Sequence, residues 1–353
     1  MSNRIGSSIS VQIFGQSHSK VIGCVIEGLP AGFRPDIERI QKDLDRRRGG
    51  KNRYSTARAE ADEPYILSGL VDGVTCGAPL CISFKNKDTK SDDYNELRDK
   101  PRPGHADYTA YVRTNGHNDI RGGGEFSGRL TLPLCFAGSL CKQLLETKGV
   151  YIGAHIASVG IVNDVLYDPV NLTRQDLESE GFPVLDKDVQ EVMEHYMTEI
   201  AEEGDSVGGV IECAAIGMPA GYGSPMFEGV ESEIAKIIFG IPAIKGIEFG
   251  AGFGVAQMKG SQNNDAFEYD GRKIVTQTNN AGGILGGITN GMPIIFRCAV
   301  KPTPSIAKEH NTLSLQRKTN DTLIIKGRHD PCIVPRAVPV VEAACAIALI
   351  NLL

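Results

Sequence analysis

RAVPVVEAACAIALINLL, residues 336–353, is a strongly apolar segment near the end of a chain of 353 residues. A helix of this sequence would be apolar on every face, and such a helix lies in a protein core or in a membrane. The segment carries Glu342 and is shorter than the roughly 20 residues of a membrane span. We therefore predict a buried core helix, and the elements that cover it decide the fold.

Strands and amphipathic helices precede this helix without a regular alternation. The predicted strands are 8–14, 21–27, 78–84, 208–217, 293–300 and 321–327. The predicted helices are 35–48, 105–114, 128–147 and 186–203. Because strands and helices do not alternate strictly, the pattern favours an α+β fold with antiparallel sheets over a parallel, doubly wound sheet. No linker rich in proline or serine divides the chain, so we expect a single domain over residues 1–353.

Composition narrows the function classes. Lys plus Arg is 37 and Asp plus Glu is 43, giving a net charge of −6, which argues against nucleic-acid binding. The nine cysteines are odd in number, form no C-x-x-C pair and lie mostly in apolar runs, as buried reduced thiols do. The first residues lack the apolar core of a signal peptide. We expect a soluble, cytoplasmic protein.

Four polar, glycine-rich patches interrupt the apolar elements, and such loops at element ends are where sites usually lie. They are FGQSHSK (14–20), RPGHADYT (102–109), NDIRGGGEFSGRL (118–130) and KGRHDPC (326–332). His18 and His105 could act as acids near neutral pH. A surface or capping role for either histidine is the alternative. The histidines are widely separated, without the ligand spacing of a metal site, so no metal is predicted.

Arginines gather around these patches. They are Arg46, Arg47, Arg48, Arg53, Arg58, Arg102, Arg121, Arg129, Arg328 and Arg336. The planar guanidinium binds carboxylate or phosphate with two hydrogen bonds, which predicts a small polyanionic ligand. A solvated helix end is the alternative for the run at 46–48. The glycines at 122–124 and 281–291 could approach a phosphate, but they match neither a P-loop nor a dinucleotide fingerprint.

Many segments, taken in order along the chain, resemble the chorismate synthase family, and together they cover essentially the whole chain. They include FGQSHSKVIGCVIEGLPAG (14–32), DLDRRRGGKNRYSTAR (43–58), RPGHADYT (102–109), RGGG (121–124), EGDSVGG (203–209), GMPAGYGSPMF (217–227), NNAGGILGGITNG (279–291), KPTPS (301–305) and KGRHDPCIVPRAVPVVEA (326–343). The resemblance implies an anti 1,4-elimination of phosphate from 5-enolpyruvylshikimate 3-phosphate to give chorismate. This is the last step of the shikimate pathway, and it depends on reduced FMN although it has no net redox change.

The resemblance also implies the fold and the partners. The family is a single α+β unit in which two antiparallel four-stranded sheets sandwich helices, and it usually forms homotetramers. Some members reduce their own flavin with NADPH. This chain shows no added domain and no nicotinamide fingerprint, so we expect a monofunctional enzyme that takes reduced FMN from an external flavin reductase or another electron donor. No nucleic acid and no membrane are expected as partners.

Site residues carry over from the family by position. His105 would protonate the reduced flavin, His18 would protonate the departing phosphate, and Asp330 would assist proton removal through nitrogen-5 of the flavin. The substrate arginines would be Arg47, Arg53, Arg102, Arg129 and Arg328. The flavin contacts would be Glu125, Phe126, Ser127, Pro242, Ala243, Gly286, Lys301, Pro302, Thr303, Pro304, Ser305 and Arg328. The family's common GGGRSSARET is GGGEFSGRLT here, so Glu125 and Phe126 replace an arginine and a serine.

Three other functions compete with this interpretation. A kinase or phosphatase would need a P-loop or a set of metal-binding carboxylates, and neither is visible in the sequence. A flavin or nucleotide sensor would keep the glycine loops but would not need His18, His105 and Asp330 together. An RNA-binding protein could use DLDRRR, but the net charge of −6 and the lack of interleaved aromatic residues argue against it.

Overall fold

A computed structural model describes residues 3–50, 60–87, 94, 96–178, 181–325 and 330–353. The helices are α1 (Ile37–Arg47), α2 (Asp107–Thr114), α3 (Thr131–Glu146), α4 (Lys187–Glu202), α5 (Val230–Ile238), α6 (Gly260–Asn263) and α7 (Val334–Ile350). The strands are β1 (Arg4–Ile5), β2 (Ser10–Phe14), β3 (Val21–Glu27), β4 (Tyr65–Ser68), β5 (Leu70–Val71), β6 (Val74–Thr75), β7 (Leu80–Lys85), β8 (Tyr151–Val159), β9 (Val162–Asn163), β10 (Gly209–Ile216), β11 (Ile244–Phe249), β12 (Phe267–Asp270), β13 (Lys273–Thr276), β14 (Ile284–Leu285), β15 (Ile288–Thr289), β16 (Ile294–Val300), β17 (Glu309–Ser314) and β18 (Thr319–Ile324).

Two larger sheets are antiparallel throughout. The first has the order β1-β2-β3-β7-β4, and in it Cys24 of β3 pairs with Ile13 and Ile82. The second has the order β11-β16-β10-β8-β9, and in it Cys213 of β10 pairs with Ala154 and Phe296. Short hairpins form separate two-stranded sheets from β5-β6, β12-β13, β14-β15 and β17-β18. The predicted α+β class with antiparallel sheets is confirmed.

The predicted strand count was wrong, because each large sheet has five strands rather than four. Each sheet has at one edge a strand of only two residues, β1 in the first sheet and β9 in the second. A strand of two residues is too short to show the alternation of buried and exposed side chains that identifies a strand.

Helices α3 and α7 pack against each other at the centre of the molecule. Helix α3 contacts β2, β3 and β7 of the first sheet and β8 of the second, while α7 contacts β8 and β10. A Cβ atom on Gly138 of α3 would lie 2.2 Å from the Cβ of Ala343 of α7, so only small residues permit this close approach. The predicted buried helix is confirmed: α7 is buried along nearly its whole length.

The other predicted helices also appear, with shorter bounds. Asp36 caps α1 by accepting a hydrogen bond of 2.9 Å from the backbone N–H of Arg39. Asp186 caps α4 in the same way through Asp188, also at 2.9 Å. Strand β8 was missed because it is buried on both faces and its sequence, YIGAHIASV, therefore lacks alternation.

Candidate active site

A cavity of about 710 Å³ brings the predicted patches together. Its walls come from the end of α1, the loops before α2 and α3, the loop after α5, the segment after β16 and the start of α7. All four polar patches contribute to the lining, which includes Ser17, Arg102, residues 104–106, Gly122, residues 125–129 and Asp330. Segments far apart in sequence thus line one cavity.

The glycines at 122–124 form a tight turn within a short 3₁₀ segment, Arg121–Phe126. Their φ angles are +60°, +83° and +56°, a region that favours glycine. A Cβ on Gly122 would lie 2.7 Å from His18 Nε2, and one on Gly123 would lie 3.1 Å from His105 Nε2. The backbone of this turn therefore packs directly against both predicted catalytic histidines.

His105 is held by a buried carboxylate at the start of α2. Its Nδ1 lies 2.6 Å from Asp107 Oδ1, and Arg102 Nε donates to Asp107 Oδ2 at 2.7 Å. Burial alone would raise the pKa of Asp107, but Arg102 and His105 outweigh it and bring that pKa well below its usual range. An ionised Asp107 is an acceptor for a proton on Nδ1, Arg102 Nη2 lies 3.1 Å from Nδ1 and 3.3 Å from Nε2, and Nε2 is the ring nitrogen nearest the glycine turn.

His18 lies at the edge of this arrangement. Its ring packs edge-on against Tyr94 with centroids 5.4 Å apart, and it contacts Gly122. His18 itself is not among the residues that line the cavity, although its neighbour Ser17 is. The structure thus places His18 behind the glycine turn and His105 in the cavity wall.

Three predicted arginines are buried in the cavity wall: Arg47, Arg102 and Arg129 are 3%, 5% and 6% exposed. Asp62 forms ion pairs with two of them. Its Oδ2 lies 3.4 Å from Arg47 Nη1, and its Oδ1 lies 2.5 Å from Arg129 Nη1. Burial lowers the pKa of Arg47 to about 10, with Arg336 and Arg129 adding to the effect and Asp62 opposing it. Arg47 and Arg129 share the single carboxylate of Asp62, which leaves a positive excess between them.

Two buried polar atoms in the wall have no hydrogen-bond partner within the described ranges. They are Arg129 Nη2 and Thr303 Oγ1. Leaving a buried polar group unsatisfied costs about 1–3 kcal/mol, more for a charged group. A ligand with acceptor oxygens would satisfy both, so this cavity fits an anion.

Asp330 lies in the wall and pairs with Arg336 of α7, with Arg336 Nη1 at 2.5 Å from Asp330 Oδ2. Arg336 Nε also donates to the carbonyl oxygen of Arg47 at 2.9 Å. Arg336 thus joins the end of α1 to Asp330. From the sequence, Arg336 was noted only as one of the arginines near the patches.

Most of the predicted flavin contacts line the same cavity: Glu125, Phe126, Ser127, Pro242, Ala243, Lys301, Thr303, Pro304 and Ser305. Ala243 has a φ of +75°, a strained value for a residue with a side chain, and its carbonyl accepts from the Lys301 N–H at 2.9 Å. Burial, together with Lys245, lowers the pKa of Lys301. This wall therefore combines backbone, small side chains and a lysine.

Some predicted contacts are not in the wall. Pro302 is not among the lining residues, and Gly286 lies in the β14–β15 hairpin away from them. Arg53 and Arg328 fall outside the described residues. The roles assigned to these four, like those assigned to the residues in the wall, stay predictions.

Sequence reasoning missed Asp62, Asp107 and Lys245. Asp107 carried a signal, since it lies two residues after His105 at the start of a predicted helix. Asp62 and Lys245 carried none, because they reach the cavity only through packing of distant segments. A histidine followed closely by a carboxylate at the start of a helix is a sequence signal for such a pair.

Within the described ranges, no group of three or more His, Cys, Asp or Glu residues is arranged to hold a metal ion. No helix formed by those residues combines the length and apolarity needed to cross a membrane.

Comparison with known proteins identifies the family. The family model for chorismate synthase matches residues 9–353. Chorismate synthase from Dehalococcoides mccartyi is 44% identical over 352 residues, covering 100% of this chain and 96% of that protein. The enzyme from Pyrococcus abyssi is 46% identical over 345 residues, covering 98% and 95%. A crystal structure of chorismate synthase has a TM-score of 0.77 at 28% identity, covering 99% of this chain and 92% of that one.

These matches extend over the cavity segments as well as the core. The chain therefore belongs to the chorismate synthase family, lyases that eliminate phosphate from 5-enolpyruvylshikimate 3-phosphate to form chorismate with the help of reduced FMN.

Proposed function

We propose that the 710 Å³ cavity is where this chain carries out the elimination. The observation that carries the proposal is the set of three buried arginines, with Arg129 Nη2 unsatisfied, next to the His105–Asp107 pair. The substrate has a phosphate and two carboxylates, and FMN adds a second phosphate. Buried guanidinium groups with one shared carboxylate suit such polyanions, because each forms charge-assisted hydrogen bonds to acceptor oxygens.

The residues of the wall fit a flavin as well as the substrate. Phe126, Pro242 and Ala243 offer apolar surface for a ring system, while Lys301 and Thr303 offer donors for phosphate or hydroxyl oxygens. When bound, reduced FMN would lend an electron transiently to the substrate and so help its C–O bond to break. The protein's own part is to hold both ligands, exclude water and place protons.

Three residues would transfer protons in the reaction. His105, held at Nδ1 by Asp107, would donate a proton from Nε2 toward the flavin side of the cavity. His18, behind Gly122, would donate to the departing phosphate. Asp330, kept in position by Arg336, would assist removal of the ring proton. Each group lies in or beside one cavity wall, so all three could serve one bound substrate.

The oligomeric state and the electron donor belong to the same proposal. Exposed apolar side chains at Met226, Phe227, Phe253 and Tyr269, 78–84% exposed, support a subunit interface such as a homotetramer would have. Light scattering after size exclusion would test this, and a monomer would contradict it. We expect a cytoplasmic, monofunctional enzyme, so NADPH with oxidised FMN should give no turnover without an added flavin reductase.

The decisive experiment is anaerobic. The purified chain is mixed with 5-enolpyruvylshikimate 3-phosphate and chemically reduced FMN, and chorismate is followed by its ultraviolet absorbance. We expect turnover with reduced FMN and none with oxidised FMN. Flavin binding without any turnover would contradict the proposal.

A matched pair of variants tests the role of His105. General acid catalysis typically contributes about 10²–10⁴ in rate, so His105→Ala should lower kcat by that factor at saturating flavin. His117→Ala removes an exposed histidine of a nearby segment and should leave kcat unchanged. Equal rates for the two variants would remove His105 from the mechanism.

A further inference from the structure

Glu125 differs from the other acidic residues of the cavity. Asp62 pairs with two arginines, Asp330 pairs with Arg336, and Glu60 accepts from the Lys87 N–H at 3.1 Å. The Glu125 carboxylate is half-buried, and no hydrogen bond or ion pair to it is found in the part of the chain that the structure describes. Among the described residues of the wall, its negative charge therefore has no ion-pair partner.

The surroundings of Glu125 strengthen the effect of that charge. Glu125 and Phe126 also line a second cavity of about 270 Å³, which has Leu134, Ile237 and other apolar residues in its wall. Charges beside apolar surface interact more strongly than charges in open water. Lys236 lines the second cavity too, but its ammonium group lies 3.6 Å from Glu233, which competes for it.

A carboxylate in this wall acts differently on the two parts of a flavin. It repels a phosphate and so offsets part of the attraction that Lys301 and the buried arginines exert. It has little net effect on the ring of an oxidised flavin, which is uncharged, and on the ribityl chain. We propose that Glu125 sets the flavin selectivity of this chain by reducing the preference of the cavity for FMN over riboflavin. The proposal rests on the proposed function, because it requires the flavin to bind in this cavity.

The test compares the dissociation constants of FMN and riboflavin, measured by quenching of flavin fluorescence. Variant Glu125→Gln keeps the shape of the side chain and removes its charge. At low salt we expect FMN to bind about three- to tenfold more tightly to Glu125→Gln than to the unaltered chain, and riboflavin to change by less than about twofold. The gain for FMN should shrink in high salt, because screening weakens the repulsion.

A control removes the same charge elsewhere. Glu191→Gln lies on the exposed face of α4 and should change neither dissociation constant. If Glu125→Gln shifts both flavins equally, the side chain touches the ring or the ribityl chain and the proposal is overturned. It is also overturned if neither flavin shifts. If the unaltered chain binds no flavin at all, the proposed function itself fails, which is a different and recognisable result.

Discussion

Arg46 and Arg47 are neighbours in the last turn of α1, and they serve two unlike regions of the molecule. Arg46 reaches Glu342 of α7 with hydrogen bonds of 2.6 and 2.9 Å, and Lys142 of α3 reaches the same carboxylate at 2.6 Å. Arg47 points into the cavity, where it shares Asp62 with Arg129. Because successive residues of a helix point about 100° apart, one turn can serve both regions.

The two regions differ in how far their charges are balanced. Burial opposes the charge on Arg46, but Glu342 outweighs it and raises the pKa of Arg46, whereas burial lowers the pKa of Arg47 to about 10. The Arg46 cluster is closed and joins α1, α3 and α7. The cavity keeps a positive excess and unsatisfied atoms. The contrast indicates that one region has its charges paired within the protein, as stability requires, while the other keeps donors that suit an anionic ligand.

The largest expected effect comes from breaking the closed cluster. Arg46→Met leaves Glu342 buried with only Lys142, and removing one partner of a buried pair costs about 3–5 kcal/mol of unfolding free energy. Urea denaturation measures this. Arg39→Met, on the same helix, breaks a more exposed pair with Glu146 and should cost less than about 1 kcal/mol. Similar losses for both variants would contradict the contrast.

Acid should weaken the same cluster. Burial would raise the pKa of Glu342, but Arg46 and Lys142 outweigh it and lower that pKa from 4.5 to about 2. The stabilisation is present above pH 4.5 and is lost as the pH falls toward 2, in total about 3 kcal/mol. The unfolding free energy, measured from denaturation curves at several pH values, should decrease less with falling pH in Glu342→Gln than in the unaltered chain. Parallel curves for the two proteins would mean that Glu342 does not contribute to acid sensitivity.

The cavity should respond in binding rather than in stability. Arg47→Met removes a donor to bound anions, and a hydrogen bond to a charged group is worth about 1.5–3 kcal/mol, so KM for the substrate should rise about 10- to 100-fold. The unfolding free energy should change much less than in Arg46→Met, since Asp62 keeps Arg129. Steady-state kinetics and urea denaturation of the same preparation decide the matter. A loss of stability as large as that of Arg46→Met would show that Arg47 is structural.

The smallest expected effect concerns the glycine turn. Gly123→Ala and Gly149→Ala both place a side chain at a φ near +80°, with a cost of about 1–2 kcal/mol each. The new methyl at Gly123 would meet His105, whereas the one at Gly149 would meet nothing within 4 Å. Thermal denaturation should show a similar loss of stability in the two variants, and only Gly123→Ala should lower kcat. An unchanged kcat in Gly123→Ala would mean that the turn does not position His105.

Sequence reasoning succeeded where one local property decides the structure. The segment 336–353 is apolar on all faces, and Asp36 and Asp186 precede clear helical stripes, so α7, α1 and α4 were found. It failed where the signal is absent from the local sequence. Strand β8 has no alternation because both of its faces are buried.

For the site, too, prediction succeeded where the local sequence carries a signal and failed where it does not. His105 and the arginines stand out as polar residues among glycines, and the family resemblance assigns them roles. Asp62, which pairs with two of these arginines, lies in a stretch without a recognisable motif and meets them only when α1 and the segment before α3 pack together. Partners of charged residues are set by tertiary packing, so one sequence does not reveal them.

The central position of α7 has a consequence for synthesis on the ribosome. Both sheets and α3 are translated before α7, yet α7 fills the space beside β8, β10 and α3. Until α7 emerges, the nascent chain keeps an unfilled apolar layer and lacks Arg336 to hold Asp330. A chain stopped before Val334 should therefore bind the dye ANS, and the full chain should not. We therefore expect activity and final compaction to arise together, once α7 has been translated, and we expect the incomplete chain to need chaperones.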